Sequence, residues 1–268
     1  MKTIFKIVVI IFCFALKTNA QELKLENVGT VKVSGNYMTA DNLGYIYIVN
    51  GSTLQKFDTN GIILFTYTEL SDGKISGIDV SDPLKIMIFN SDFGKIKFLD
   101  NKLSLKKDFI LLSDLGYQNA TLACLSYENG FWLYDPMSNQ IVRFQSNLKQ
   151  SQSSESINNI AQLEIAPVFM CEINNTLYLY DPNNGILMFD RYATYMHLWP
   201  FKEIHSFQVF PSQLLLGGKN EVRFFDIKTF EESAISIPEE EEIINAVWNN
   251  QRLYILTKTS LNIYKILK

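Results

Sequence analysis

Hydrophobic and polar residues alternate along this chain in short runs, and the runs come in pairs separated by tight polar turns. Six such pairs can be aligned: Tyr45 to Asp58 (YIYIVNGSTLQKFD), Lys85 to Asp100 (KIMIFNSDFGKIKFLD), Gly130 to Gln145 (GFWLYDPMSNQIVRFQ), Thr176 to Asp190 (TLYLYDPNNGILMFD), Gln213 to Asp226 (QLLLGGKNEVRFFD) and Arg252 to Lys265 (RLYILTKTSLNIYK). Period-two alternation of aromatic and branched residues is the mark of a half-buried strand. The turns suit hairpins: Asn50-Gly51-Ser52, Asp92-Phe93-Gly94, Asp135-Pro136, Asp181 to Gly185 and Gly217 to Asn220. Gly and Asn accept positive φ, Pro pre-sets φ, and Asp can bond its own backbone.

The six units begin 37 to 46 residues apart, and each leaves room for one strand before its hairpin and one after it. Thr121 to Leu125 is an example of the first and Ile62 to Tyr67 of the second. A repeat of this length, all strand and without helical periodicity, predicts an all-β fold, a six-bladed β-propeller. A sandwich or double barrel would not require six similar units. The last unit ends after its third strand, whereas Glu22 to Glu26 and Thr30 to Val33 supply spare strand ahead of the first. Pairing that N-terminal strand onto the last blade would close the ring and cover an exposed edge.

The first unit carries the most specific pattern. Asp41-Asn42-Leu43-Gly44, the strand Tyr45 to Val49 and the terminal Phe57-Asp58-Thr59-Asn60-Gly61 resemble the NHL-type repeat. Phe98-Leu99-Asp100, Phe189-Asp190 and Phe225-Asp226 keep its outline. The resemblance implies a six-bladed fold and no particular chemistry, because such propellers serve as scaffolds, binders, lactonases and lyases.

The first twenty residues depart from the repeat. A basic start (Lys2, Lys6), the apolar run Ile7 to Leu16 and the small residues Thr18-Asn19-Ala20 form the three-part layout of a secretory leader. Ten apolar residues cannot cross a hydrocarbon core of about 30 Å at about 1.5 Å per residue. The expectation is a signal peptide over 1–20, cleaved before Gln21, and a single propeller domain over 21–268. Cleavage removes three lysines and no acid, which turns a net charge of −4 into −7. An acidic balance argues against nucleic acid, whose affinity rests on cationic neutralisation of phosphate. A hydrophobic content of 47% excludes disorder, and 3 Cys exclude a disulfide framework. Cys124 and Cys171, both beyond the leader, fall in different repeats and are expected as separate buried thiols.

Candidate chemistry is sparse. His197 and His205 lack partners at metal-ligand spacing, Gly73-Lys74-Ile75-Ser76-Gly77 has the wrong spacing for a nucleophile elbow, and no phosphate loop occurs. No cofactor or metal is called for. Strands lining a central channel would offer Asp79, Glu164, Glu172 and Asn245 at unmatched positions, the basis for an alternative reading as a lactonase-like hydrolase or lyase.

The face built from inter-blade connections and the turns between second and third strands is the expected binding surface, carrying Asp72, Lys74, Asp114, Tyr117, Trp199, Phe201, Lys202 and Glu203. The aromatic stretch Tyr192 to Phe207 reads either as a partner patch or as packing between blades. Glu239 to Glu242 reads as a solvated acidic loop, and Gln150 to Asn159 as a mobile one. The expected function is that of an exported, non-enzymatic propeller. It would be periplasmic or outer-membrane-associated and bind another envelope protein, with no membrane span.

Overall fold

A computed structural model describes residues 24–238 and 241–267, so the signal peptide expected over 1–20 lies outside the described residues. Six four-stranded antiparallel sheets, containing 24 strands in all, make up the six-bladed β-propeller. Blade 1 comprises β2 (Tyr37–Ala40), β3 (Ile46–Asn50), β4 (Thr53–Phe57) and β5 (Ile63–Thr68), in that order from the axis outward. Blade 2 follows with β6 (Gly77–Asp79), β7 (Ile86–Asn90), β8 (Lys95–Leu99) and β9 (Leu105–Leu111). Blade 3 is β10 (Leu122–Leu125), β11 (Phe131–Asp135), β12 (Gln140–Phe144) and β13 (Gln150–Ser153). Blade 4 is β14 (Phe169–Ile173), β15 (Thr176–Asp181), β16 (Gly185–Phe189) and β17 (Tyr195–Trp199). Blade 5 is β18 (Ser206–Val209), β19 (Gln213–Gly217), β20 (Glu221–Asp226) and β21 (Glu232–Ser236).

Blade 6 takes three strands, β22 (Asn245–Asn249), β23 (Arg252–Leu256) and β24 (Ser260–Leu267), from one end of the chain. Its outermost strand is β1 (Lys24–Lys32), antiparallel to β24 from Lys24↔Leu267 to Lys32↔Ser260. The two short N-terminal pieces expected from sequence are one strand, bent by a bulge between Asn27 and Gly29. A bulge adds a residue and local twist without ending the ladder.

The core lies between blades rather than inside any one of them. Each second strand is buried on both faces, so Tyr47, Phe89, Trp132, Leu179, Leu215 and Tyr254 are essentially inaccessible. Burying a large apolar side chain contributes about 1.5–3 kcal/mol, and the repeated aromatics fill wedge-shaped gaps that widen with distance from the axis.

The Asp that ends several third strands has a local cause. Asp58 Oδ1 accepts the N–H groups of Asn60 (2.9 Å) and Ile62 (2.8 Å). Asp100 does the same for Lys102 and Ser104, and Asp190 for Tyr192 and Thr194. Three residues after each Asp the backbone turns left-handed, at Gly61 (φ 82°), Leu103 (φ 61°) and Ala193 (φ 67°). Leu148 (φ 64°) occupies the same place after Gln145. The glycine of the first unit thus marks a conformation that later units adopt with side chains, at about 1–2 kcal/mol each.

Gln150 to Asn159 departs from its expectation. Gln150–Ser153 is the outer strand of blade 3, and Ile157–Ala161 forms a short helix, α1, with Ile157 buried. A polar run can be a strand there because an outermost strand meets solvent. Ser151 also answers a buried guanidinium, accepting from Arg143 Nη1 at 3.0 Å.

Candidate functional site

Two regions can host function in this architecture: the axial channel and the face carrying the inter-blade connections. The channel is bounded by the first strand of each blade. Asp79 and Glu172 do lie on these strands, as does Asn245, whereas Glu164 is exposed in the connection that precedes β14.

The two carboxylates are engaged in holding blades together. Asp79 Oδ1 accepts from Ser81 N–H and its Oδ2 accepts from Leu125 N–H on blade 3, both at 2.9 Å. Glu172 on blade 4 reaches back to blade 3, where Oε2 accepts from Ser126 Oγ (2.6 Å) and Trp132 Nε1 (2.5 Å), and Oε1 from Tyr127 N–H (3.2 Å). Ser126 in turn accepts from Arg143 Nε at 2.8 Å, and the Arg143 guanidinium stacks on the Tyr127 ring 3.5 Å from its centroid. Arg143 is 2% exposed, and its charge faces Glu172 through one serine hydroxyl. Gln208 continues the pattern from blade 5 to blade 6, accepting from Trp248 N–H at 2.6 Å. Asn249 donates to the Asp41 carbonyl of blade 1 at 2.7 Å. Asp79 and Glu172 read as channel chemistry in the sequence and serve as joints in the fold. Among the described residues no three His, Cys, Asp or Glu side chains are grouped to hold a metal.

The channel itself is crossed by rings. Tyr37 of blade 1 and Phe169 of blade 4 stand with centroids 6.0 Å apart, and Phe207 of blade 5 meets Phe169 edge-on at 5.3 Å. Space remains on both sides of the Tyr37–Phe169 pair. A chamber of about 280 Å³ is lined by blades 1, 2, 4, 5 and 6, and one of about 200 Å³ by blades 1 to 4. Burial pushes the Tyr37 phenol and the Cys171 thiol well above their ordinary values, because a charge there would lose its hydration. Cys124 and Cys171 are both free thiols, the first buried and the second half-buried.

Asn245 is 3% exposed, and its Oδ1 has no hydrogen-bond partner. His205, just before β18 of blade 5, donates from Nδ1 to the Ile243 carbonyl oxygen at 2.7 Å. His197 is exposed on β17.

On the face, seven of the eight residues expected from sequence are distributed over three inter-blade connections, and Trp199 ends β17. Asp72 is buried, paired with Lys95 at 2.7 Å and with Lys97, and takes no exposed position. Lys74 and Asp114 are exposed. Tyr117 is half-buried, edge-on to Phe144, with its hydroxyl donating to Gln150 Oε1 at 3.1 Å. Trp199 stacks on Tyr178 (5.9 Å) and Phe201 meets Phe225 edge-on (4.9 Å), so both rings take part in packing between blades 4 and 5. Lys202 and Glu203 are exposed and border a shallow cleft with Lys219, Glu221 and Arg223.

Sequence reasoning missed two exposed apolar residues of this face, Leu70 (78%) beside blade 2 and Phe93 (55%) in its second turn. A single Leu and a single Phe in polar turns give no periodic signal. In the acidic run, Glu241 accepts from Thr259 N–H and Oγ1 at 3.2 and 2.9 Å, and these bonds with that of Thr257 hold its carboxyl below the usual value. Glu239 and Glu240 lie outside the described residues. No helix among the described residues is long and apolar enough to cross a membrane.

Comparison with known proteins bears on the fold. No protein-family model matches the sequence, and no curated protein matches it either. Solved structures do match in shape. Virginiamycin B lyase from Staphylococcus aureus superposes with a TM-score of 0.58 at 14% identity, covering 86% of this chain and 80% of that one. The Pan2 WD40 domain of Neurospora crassa gives 0.62 at 8% identity, covering 91% and 96%. BBS1N, solved in complex with ARL6DN, gives 0.54 at 13%, covering 87% and 78%. One of these neighbours is a lyase and another was captured with a protein bound, so the chain is similar to β-propellers of both kinds, and what they share with it is the propeller fold.

Proposed function

We propose that this chain is an exported, non-enzymatic propeller, descended from NHL-like repeats, that binds another protein of the bacterial cell envelope through the face of its inter-blade connections. One observation carries the reading. The acidic side chains of the inner strands are spent on blade-to-blade hydrogen bonds, while the face presents Leu70 and Phe93 amid the exposed charges of Lys74 and Asp114. Exposed apolar side chains rimmed by charge are what a protein partner desolvates on docking. The layout of residues 1–20 supports export.

Native capture from envelope extract tests the binding reading. The wild-type protein should retain a discrete partner that a Leu70→Ser, Phe93→Ser double variant loses; empty capture with wild type counts against it. Mass spectrometry of the protein from its own cells tests export. The expected N-terminus is Gln21, and an intact Met1 leader on cytosolic protein would overturn that part.

A further inference from the structure

We infer that the larger chamber of the channel is a binding site for a compact, uncharged molecule carrying a cyclic-amide edge, such as a lactam, an imide or a nucleobase. The proposal is independent of the face and its partner. It starts from Asn245, the first residue of β22, which is 3% exposed and whose buried Oδ1 has no hydrogen-bond partner. Its neighbours in the same ring of inner strands, Asp79, Glu172, Gln208 and Asn249, each commit at least one polar atom to a bond with an adjacent blade. An unpaired buried amide costs about 1–3 kcal/mol, and every other inner-strand joint in this set avoids that cost. A carboxamide offers a donor and an acceptor side by side, and its complement is another H–N–C=O edge held in one plane.

The surroundings define the rest of the ligand. Asn245 belongs to the lining of the chamber of about 280 Å³, together with Tyr37, Phe169 and Phe207. Three aromatic rings on the lining favour a flat guest that stacks or meets their edges. No Lys or Arg lies on the lining, so nothing there would neutralise an anion. Both nearby carboxylates have their donors within the fold, two for Asp79 and three for Glu172, and their negative charge further opposes an anion. A mostly apolar chamber with a buried, unpaired amide oxygen on its wall selects a neutral ring with one polar edge.

The test uses 2-pyridone, a planar ring with an H–N–C=O edge, and N-methyl-2-pyridone, which keeps the ring and carbonyl but lacks the donor. In nuclear magnetic resonance titrations of the wild-type protein, 2-pyridone should shift the Asn245 side-chain amide signals saturably at millimolar concentration or below. N-methyl-2-pyridone should bind at least tenfold more weakly. Asn245→Leu should bring both compounds to the same weak affinity without lowering the melting temperature, because it removes a polar group that has no partner. Titrations that leave the Asn245 amide unmoved, or equal wild-type affinity for the two compounds, would overturn the proposal. So would a preference for 2-pyridone that survives in Asn245→Leu.

Discussion

The ring of Tyr37 meets the ring of Phe169 across the propeller axis, 6.0 Å centroid to centroid, although the two belong to blades on opposite sides of the circle. In an open channel the inner strands would be joined only through their neighbours. Here a side-chain contact ties blade 1 directly to blade 4, and Phe207 extends the tie to blade 5.

Removing one ring should therefore loosen the centre. Phe169→Ala is expected to cost about 3 kcal/mol, whereas Tyr37→Phe, which keeps the ring, should cost less than about 1 kcal/mol. Urea midpoints at constant m-value measure both. Equal costs would show that the contact between the rings contributes nothing.

Glu172→Gln should be more costly than its conservative appearance suggests. One oxygen accepts both the Ser126 hydroxyl and the Trp132 N–H, and an amide nitrogen in its place would oppose donors with a donor. It would also leave the Arg143 guanidinium buried with its nearest acid neutralised. The expected loss is about 2–4 kcal/mol, read by chemical denaturation, with a change in Trp132 fluorescence.

The left-handed turn after each third strand makes a prediction of opposite signs. Leu148→Gly should stabilise the protein by up to about 1 kcal/mol, because Leu148 is 41% exposed at φ 64° and little packing is lost. Gly61→Leu should destabilise strongly, since a Cβ there would come within 2.5 Å of Val31 Cγ2 on the closing strand. Paired thermal melts decide the matter.

The turn carboxylates also set an acid limit. Backbone N–H donors from Ser104 and Lys102 hold Asp100 below the usual aspartate value. A depressed folded-state pKa contributes stability above the unfolded value, about 3.9. That contribution is lost as pH falls through the folded value. Asp100→Asn keeps the acceptor but cannot titrate, so its stability should fall less steeply between pH 5 and pH 3 than that of the wild type. Denaturation midpoints across that range give both slopes, and identical slopes would refute the assignment.

The hairpins and the closing strand were legible in the sequence because both are written locally: alternation sets the strands, and Gly, Asn and Asp set the turns. Gln150–Ser153 was not, since an outermost strand has no buried face to impose alternation. The channel residues mislead for a different reason. Asp79 and Glu172 look like free acids until their donors, Leu125 and Trp132, are brought up from another blade. Asp72 likewise reads as a loop residue, and only the pairing of β8 beside it shows two lysines closing over its carboxylate. The contact of Tyr37 with Phe169 has no sequence signature, because it depends on the radius of the completed ring.

That radius exists only once β1 has found β24. Leu25 lies opposite Ile266, about 240 residues further along the chain, which is among the most distant pairings this polypeptide could make. Five blades can assemble from contacts between near neighbours in sequence, but the sixth must wait for both of its contributors. Contacts of such long range are slow to form. Ring closure is therefore the late event in folding, and until it occurs the nascent protein presents β24 as an unpaired edge. Without β1, the outer edge of β24 would offer its unpaired N–H and C=O groups to a strand of another chain.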